Sequence, residues 1–201
     1  MPEKCFDAAP APYRGWGSEL IRSVGQAWLR VFGWKIRGDW PGIEKAVLVA
    51  APHTSNWDGL HMLAATAHFR IKLRWMGKKS LGEGPFGWLA RRAGLVPVDR
   101  SGGQDIVAQA AAAIGRADDI ILAVAPEGTR SYTADWKTGF YHIAATAGVP
   151  ILMAVLDYGT KTITLAGPVH PSGDMDSDLA QVRAAYAGAI GKKPENWEPV
   201  D

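Results

Sequence analysis

The chain has 201 residues, 47% hydrophobic and 21% charged, with a formal net charge of +2, which is the balance of one folded domain and excludes intrinsic disorder. No apolar stretch approaches the ~18 to 20 residues a membrane-spanning helix needs, and the acidic, proline-broken start MPEKCFDAAP is unlike a signal peptide. The single cysteine, Cys5, excludes internal disulfides and Cys-based zinc sites and suits a reducing compartment, so a cytoplasmic protein is expected.

From residue 18 to 32 the sequence SELIRSVGQAWLRVF sets Leu20, Ile21, Val24, Trp28 and Val31 at helical intervals behind Ser18 as N-cap. This predicts an amphipathic helix within segment 18–33, suited either to a membrane surface or to packing on a core, after a tail of residues 1–17. Short apolar runs at 46–51 (AVLVAA), 73–76, 120–125 (IILAVA), 151–156 (ILMAVL) and 162–166 (TITLA) read as strands. Helical patterns fall between them at 59–68, 86–93, 104–115 and 139–148. The alternation predicts a single α/β domain with a mixed, mostly parallel sheet flanked by helices. The short turn at 157–160 makes its last pair antiparallel. The closing stretch 191–201 reads as a loose tail.

Charge is unevenly spread. Residues 70–100 hold Arg70, Lys72, Arg74, Lys78, Lys79, Arg91, Arg92 and Arg100 against only Glu83 and Asp99. Such a run attracts anions, whether a phosphorylated substrate or an anionic lipid surface, and otherwise is a solvated basic face. Aromatics are not interleaved with it as a stacking platform requires, so nucleic acid is not an expected partner.

In open α/β sheets ligands bind beyond the carboxyl ends of the strands, so the residues just past each apolar run are the candidates for chemistry. After AVLVAA comes Pro52-His53-Thr54-Ser55-Asn56-Trp57-Asp58. Residues five apart are rotated about 140° on a regular helix, so His53 and Asp58 meet only if His53 lies in a turn and Ser55 or Asn56 caps a helix that carries Asp58 in its first turn. A carboxylate there would hold one ring nitrogen and leave the other to take a proton from an alcohol. The same residues also read as a capped helix start with an incidental histidine.

After IILAVA comes Pro126-Glu127-Gly128-Thr129-Arg130-Ser131, where glycine, hydroxyl and guanidinium together suit an anion or form an ordinary polar turn. The stretch 94–101, GLVPVDRS, predicts a short strand ending in Arg100.

Taken in order, HTSNWD, GLVPVDRS, PEGTRS and Gly148-Val149-Pro150-Ile151 resemble the four blocks of the glycerolipid acyltransferase family, which includes 1-acyl-glycerol-3-phosphate acyltransferases. The resemblance spans about residues 38–167 and implies a glycerol-3-phosphate acyltransferase-like fold with a catalytic core over 38–170. It implies transfer of a fatty acyl group from acyl-CoA or acyl carrier protein, as co-substrate with no bound cofactor or metal, to a hydroxyl of a lysophospholipid or related acceptor. The place implied is the inner face of the cell membrane, peripherally.

By matching position, His53 is the general base and Asp58 its partner, with Ser55 and Asn56 supporting. Arg100, Glu127, Gly128, Thr129 and Arg130 correspond to acceptor-phosphate residues, and Val149 with Pro150 to the fourth block. Lys78 and Lys79 match the segment between the first two blocks. Trp57 departs from the family pattern, standing where many relatives carry a smaller or different residue, which bears on the acceptor more than on the chemistry.

Three other readings compete. Gly82-Glu83-Gly84-Pro85-Phe86-Gly87 satisfies G-x-G-x-x-G, with Asp105 at the distance of a dinucleotide-binding acid, but Pro85 removes a backbone N–H from the loop. A thioesterase or serine-type hydrolase would pair Ser55 or Ser131 with His53 or His142, without the G-x-S-x-G elbow. A non-catalytic lipid- or membrane-binding module on the same fold is the third. His61, His68, His142 and His170 show no metal-ligand grouping and read as structural or surface residues.

Overall fold

The computed structural model describes residues 16–92, 94–99 and 105–198. Seven strands make one sheet: β1 (Lys35–Arg37), β2 (Lys45–Ala51), β3 (Leu73–Lys78), β4 (Leu95–Val98), β5 (Ile120–Val124), β6 (Ile151–Asp157) and β7 (Thr162–Val169). Their order is β1-β7-β6-β2-β5-β3-β4, parallel throughout except for the antiparallel β6–β7 pair, as the short turn between them requires. Helices α1 (Trp16–Val31) and α2 (Asn56–His68) cover one face. Helices α5 (Ile106–Arg116), α6 (Gly139–Ala147) and α7 (Met175–Ala184) cover the other. The sandwiched β2 is therefore buried on both sides, which is why it reads as an unbroken apolar run and not as an alternation.

Two short helices, α3 (Lys79–Glu83) and α4 (Gly87–Arg92), join β3 to β4. They contain the glycine pattern that imitates a dinucleotide loop. A Cβ on Gly87 would collide with the Gly82 carbonyl, so these glycines let two backbones touch and do not frame a phosphate cradle.

Three elements depart from the sequence expectation. Helix α1 contains Ser18 inside it, not at its cap, and most of its apolar stripe faces outward: Leu20, Ile21, Val24 and Val31 are exposed, while Trp28 of the same stripe packs against the core. The side that meets α2 is built on Gly25, where a Cβ would come within 2.8 Å of the Ala64 carbonyl oxygen, on buried Leu29, on Trp28 against Trp57 and His61, and on polar contacts. Arg22 Nε donates to the His68 carbonyl at 3.2 Å, Gln26 bonds the His68 ring at 3.2 Å, and Glu19 pairs with Arg70.

Helix α7 went unpredicted because only Met175, Leu179 and Val182 form its narrow apolar stripe, although Asp174 caps it by accepting from Ser177 N–H at 3.1 Å. The described part of the closing stretch, 191–198, is also held firmly. Trp197 is buried in the core and its Nε1 donates to the Ala189 carbonyl at 2.9 Å. The loose tail expected there is thus corrected for these residues, because one large aromatic supplies an anchor the polar composition conceals.

Candidate active site

Strand β2 ends at Ala51, and the chain turns through Pro52 to place His53 between the strand and α2. Ser55 is the N-cap, in an extended conformation, and Asp58 is the third residue of the helix. Asp58 is 1% exposed, and every oxygen it presents is occupied. Its Oδ2 accepts the N–H groups of Thr54 at 2.7 Å and Ser55 at 2.6 Å. Its Oδ1 accepts the Ser55 hydroxyl and the Tyr158 phenol, both at 2.6 Å.

The His53 Nδ1 lies 3.4 Å from Asp58 Oδ2, so the two residues meet in the way the turn geometry demanded. Burial alone would raise the Asp58 carboxyl, but hydrogen bonds from His53, Ser55 and Tyr158 outweigh it and hold the group below its ordinary value. The acid is thus a fixed anion beside the ring. The His53 side chain keeps 33% of its surface exposed, and its Nδ1 is the nitrogen turned to Asp58.

Strand β5 pairs in parallel with β2, Val49 opposite Val124, so the loops after both strands stand side by side. Glu127 reaches across: its Oε1 accepts the His53 N–H at 2.8 Å. Glu127 is only 3% exposed, its Oε2 has no hydrogen-bond partner among the described residues, and burial pushes the carboxyl above its ordinary value. Glu127 thus fastens the histidine loop from within and lines neither of the cavities that meet at His53.

Gly128 has φ +64° and presses against Lys137, whose Nζ would be 2.9 Å from a Cβ at that position. Arg130 Nη1 donates to Asn56 Oδ1, joining the two loops at the surface. Thr129 Oγ1 accepts the Ser131 N–H at 3.2 Å.

Two cavities meet at His53. The larger, about 940 Å³, runs over the carboxyl edge of the sheet and is walled by apolar side chains including Leu60, Leu63, Leu73, Trp75, Val107 and Phe140. The smaller, about 530 Å³, is lined by His53, Ala125, Gly128, Thr129, Arg130 and Ser131. His53, Ala125 and Gly128 belong to both, and Lys137 lies on the wall of the larger one.

Other expected residues fall elsewhere. Lys78 and Lys79 line neither cavity, and Lys79 pairs with Glu83 at 3.6 Å. Val149 and Pro150 precede β6, where the Pro150 carbonyl accepts the Val47 N–H at 3.0 Å. That is the amino edge of the sheet, more than about 15 Å of strand from His53 at ~3.3 Å per residue, so they secure β6 to β2 and do not touch the site. Arg100 lies outside the described residues. His61, expected to be structural, is 3.2 Å from Trp28 Nε1 within an aromatic group containing Trp28, Phe32, Trp34 and Trp57.

Sequence reasoning passed over Tyr158 and Lys137. Tyr158 directly follows β6, the other neighbour of β2, so the rule that sites form past carboxyl strand ends was a usable signal for it. Burial and the Asp58 carboxylate push its phenol upward, which keeps it a donor. Lys137 lies within the polar stretch between β5 and α6, where nothing local marks it.

A buried carboxylate, an accessible imidazole, an apolar cavity and a cation-bearing one together suit acyl transfer. Comparison with known proteins agrees. The sequence profile of the acyltransferase family matches residues 24–156. None of the curated proteins compared matches the chain. Among solved structures, the fold is similar to that of the 1-acyl-sn-glycerophosphate (LPA) acyltransferase PlsC from Thermotoga maritima, with TM-score 0.59 and 19% identity over 84% of this chain and 77% of that one. The profile covers well over half of the sequence, so this chain belongs to the acyltransferase family.

Proposed function

We propose that this enzyme moves a fatty acyl group from acyl-CoA or acyl carrier protein to a hydroxyl of a lysophospholipid such as 1-acyl-glycerol-3-phosphate, with His53 as general base. The observation that carries the reading is the position of His53 where the apolar cavity meets the polar one. An acyl chain fits the first, each buried methylene contributing about 0.8 kcal/mol. A phosphate-bearing head fits the second, near Arg130 and with Lys137 behind Gly128.

His53 Nε2 takes the proton from the acceptor hydroxyl as its oxygen attacks the thioester carbonyl. Asp58 orients the ring and stabilises the imidazolium, the tetrahedral intermediate expels the thiolate, and His53 returns the proton to sulfur. Ester and free thiol leave, and no covalent enzyme intermediate is required. Alignment of the two substrates supplies about 7 to 11 kcal/mol and the positioned base about 10² to 10⁴ in rate.

The exposed apolar side chains of α1, Leu20, Ile21, Val24 and Val31, support work at a membrane surface, because such a group fits the headgroup boundary. Among the described residues no helix is long and apolar enough to cross a membrane.

The test is an acceptor screen with labelled acyl-CoA, run beside His53→Ala. A lysophospholipid product that disappears in the variant is expected. Product formation that survives unchanged removes His53 from the mechanism, thiol release without any acceptor favours a hydrolase, and no release favours a binding module.

A further inference from the structure

We propose that α3 and α4 form a second membrane-contact element, distinct from α1, in which Phe86 and Trp88 enter the headgroup layer and Lys78, Lys79, Arg91 and Arg92 bind anionic lipid. Phe86 is 74% exposed and Trp88 60%, and Leu81 and Leu89 are exposed beside them. So many bare apolar side chains on two short helices carry a desolvation cost unless something covers them.

The surrounding charge says what covers them. Glu83, which pairs with Lys79, is the one acid between Lys78 and Arg92. Lys72, Arg74 and Arg92 crowd together nearby, and burial with those two guanidinium charges lowers the Lys72 ammonium. Exposed aromatics on two short helices that also carry these cations match the boundary of an anionic bilayer, where Trp settles at the headgroups and Lys and Arg meet lipid phosphates. The element is also well placed. It starts at the carboxyl end of β3, the sheet edge that carries His53, and Leu81 closes on Gly77 beside Trp75, whose side chain walls the apolar cavity. Contact here sets the wall of that cavity against lipid. Its use in delivering an acyl chain rests on the acyltransferase reading above, but the contact itself does not.

The test is co-sedimentation of the full chain with phosphatidylglycerol vesicles and, separately, phosphatidylcholine vesicles, without substrate. Wild type binds phosphatidylglycerol more tightly. The pair Phe86→Ser with Trp88→Ser lowers that binding about tenfold or more with an unchanged unfolding midpoint, as loss of two interfacial aromatics requires. The pair Lys78→Gln with Lys79→Gln weakens the preference for phosphatidylglycerol. Independently, a nitroxide on Phe86→Cys, in a Cys5→Ser background, becomes shielded from an aqueous quencher when vesicles are added. Unchanged vesicle binding in both pairs, or a label that stays accessible, overturns the proposal. Loss confined to binding of a purified acyl carrier protein overturns it in favour of protein docking, and a change of oligomeric state in the aromatic pair overturns it in favour of self-association. None of these readings depends on turnover, so a failed acyltransferase assignment would leave them interpretable.

Discussion

In the proposed mechanism Asp58 serves His53 as a buried anion, and four hydrogen-bond donors from Thr54, Ser55 and Tyr158 hold it in place. Tyr158 is the one of these that comes from a distant part of the chain, and it bonds the carboxylate oxygen that does not face the ring. Tyr158→Phe should therefore leave the cavity shape alone while freeing Asp58 to rotate. The expected cost is about 1 to 3 kcal/mol in urea unfolding, for a buried acceptor left short of a donor. A loss of about 1.4 kcal/mol of orientation at the transition state lowers kcat about tenfold. Full activity in a variant destabilised by that amount would show that Asp58 is held well enough by its own loop.

Glu127 makes the opposite electrostatic statement. Its carboxyl is raised above the ordinary value, so the folded chain binds that proton more tightly than the unfolded chain does. Its contribution to stability consequently declines as pH rises from about 4.5 through the raised value. Glu127→Gln keeps an oxygen for the His53 N–H and should flatten that decline in unfolding midpoints measured across pH. Identical slopes in the two proteins would mean that Glu127 is not the group responsible.

At the scale of elements, local grammar and long-range assembly separate cleanly. The HTSNWD segment was legible because its cap, its first-turn acid and its histidine all lie within six residues, and the capped turn alone brings the imidazole to the acid. Strands β2, β5 and β6 were legible because helices on both faces force continuous apolar runs. The orientation of α1 was not, since its periodicity gives an apolar side but not the direction that side faces, and here Gly25, Trp28, Leu29 and polar contacts with α2 decide it.

The closing segment escaped for a similar reason. It is polar along its length, yet the Lys193 N–H donates to Thr54 Oγ1 at 3.2 Å, Lys192 Nζ lies 4.4 Å from the Trp57 ring, and Asn196 Nδ2 donates to the Arg130 carbonyl at 3.2 Å. One strap thus touches both loops that bear the site. Asn196→Ala should loosen Arg130 and raise the acceptor KM about two- to tenfold, the equivalent of a hydrogen bond worth about 0.5 to 1.5 kcal/mol. Donor KM and kcat should stay close to wild type, and the effect should not add to that of Arg130→Ala, because holding the Arg130 backbone matters to the acceptor only while its guanidinium is present. Equal increases in donor and acceptor KM would reassign the strap to general stability.

Across the whole molecule, the sheet order explains how one site would handle the two unlike ligands of the proposed reaction. β2 lies between β6 and β5, so its carboxyl end collects Tyr158 from one neighbour and the Glu127 to Ser131 loop from the other. Further along the same edge, β3 extends an apolar floor away from the histidine, with Trp75 opposite Ala123 and Ala123 opposite Leu48. Small residues at Ala50 and Ala123 keep that floor open.

Ala123→Phe would place a ring in the cavity without touching His53 or the cations, and so should shorten the acyl chain the enzyme prefers. Each methylene denied burial costs about 0.8 kcal/mol, close to fourfold in affinity, so a shift of a few carbons is large on this scale. The measurement is kcat/KM over a series of acyl-CoA donors of increasing length, with acceptor KM recorded beside it. A preference moved toward short donors at constant acceptor KM places the acyl chain over β5. An unchanged preference, or a selective loss of acceptor binding, would place the acceptor's own chain there and send the donor to a different surface.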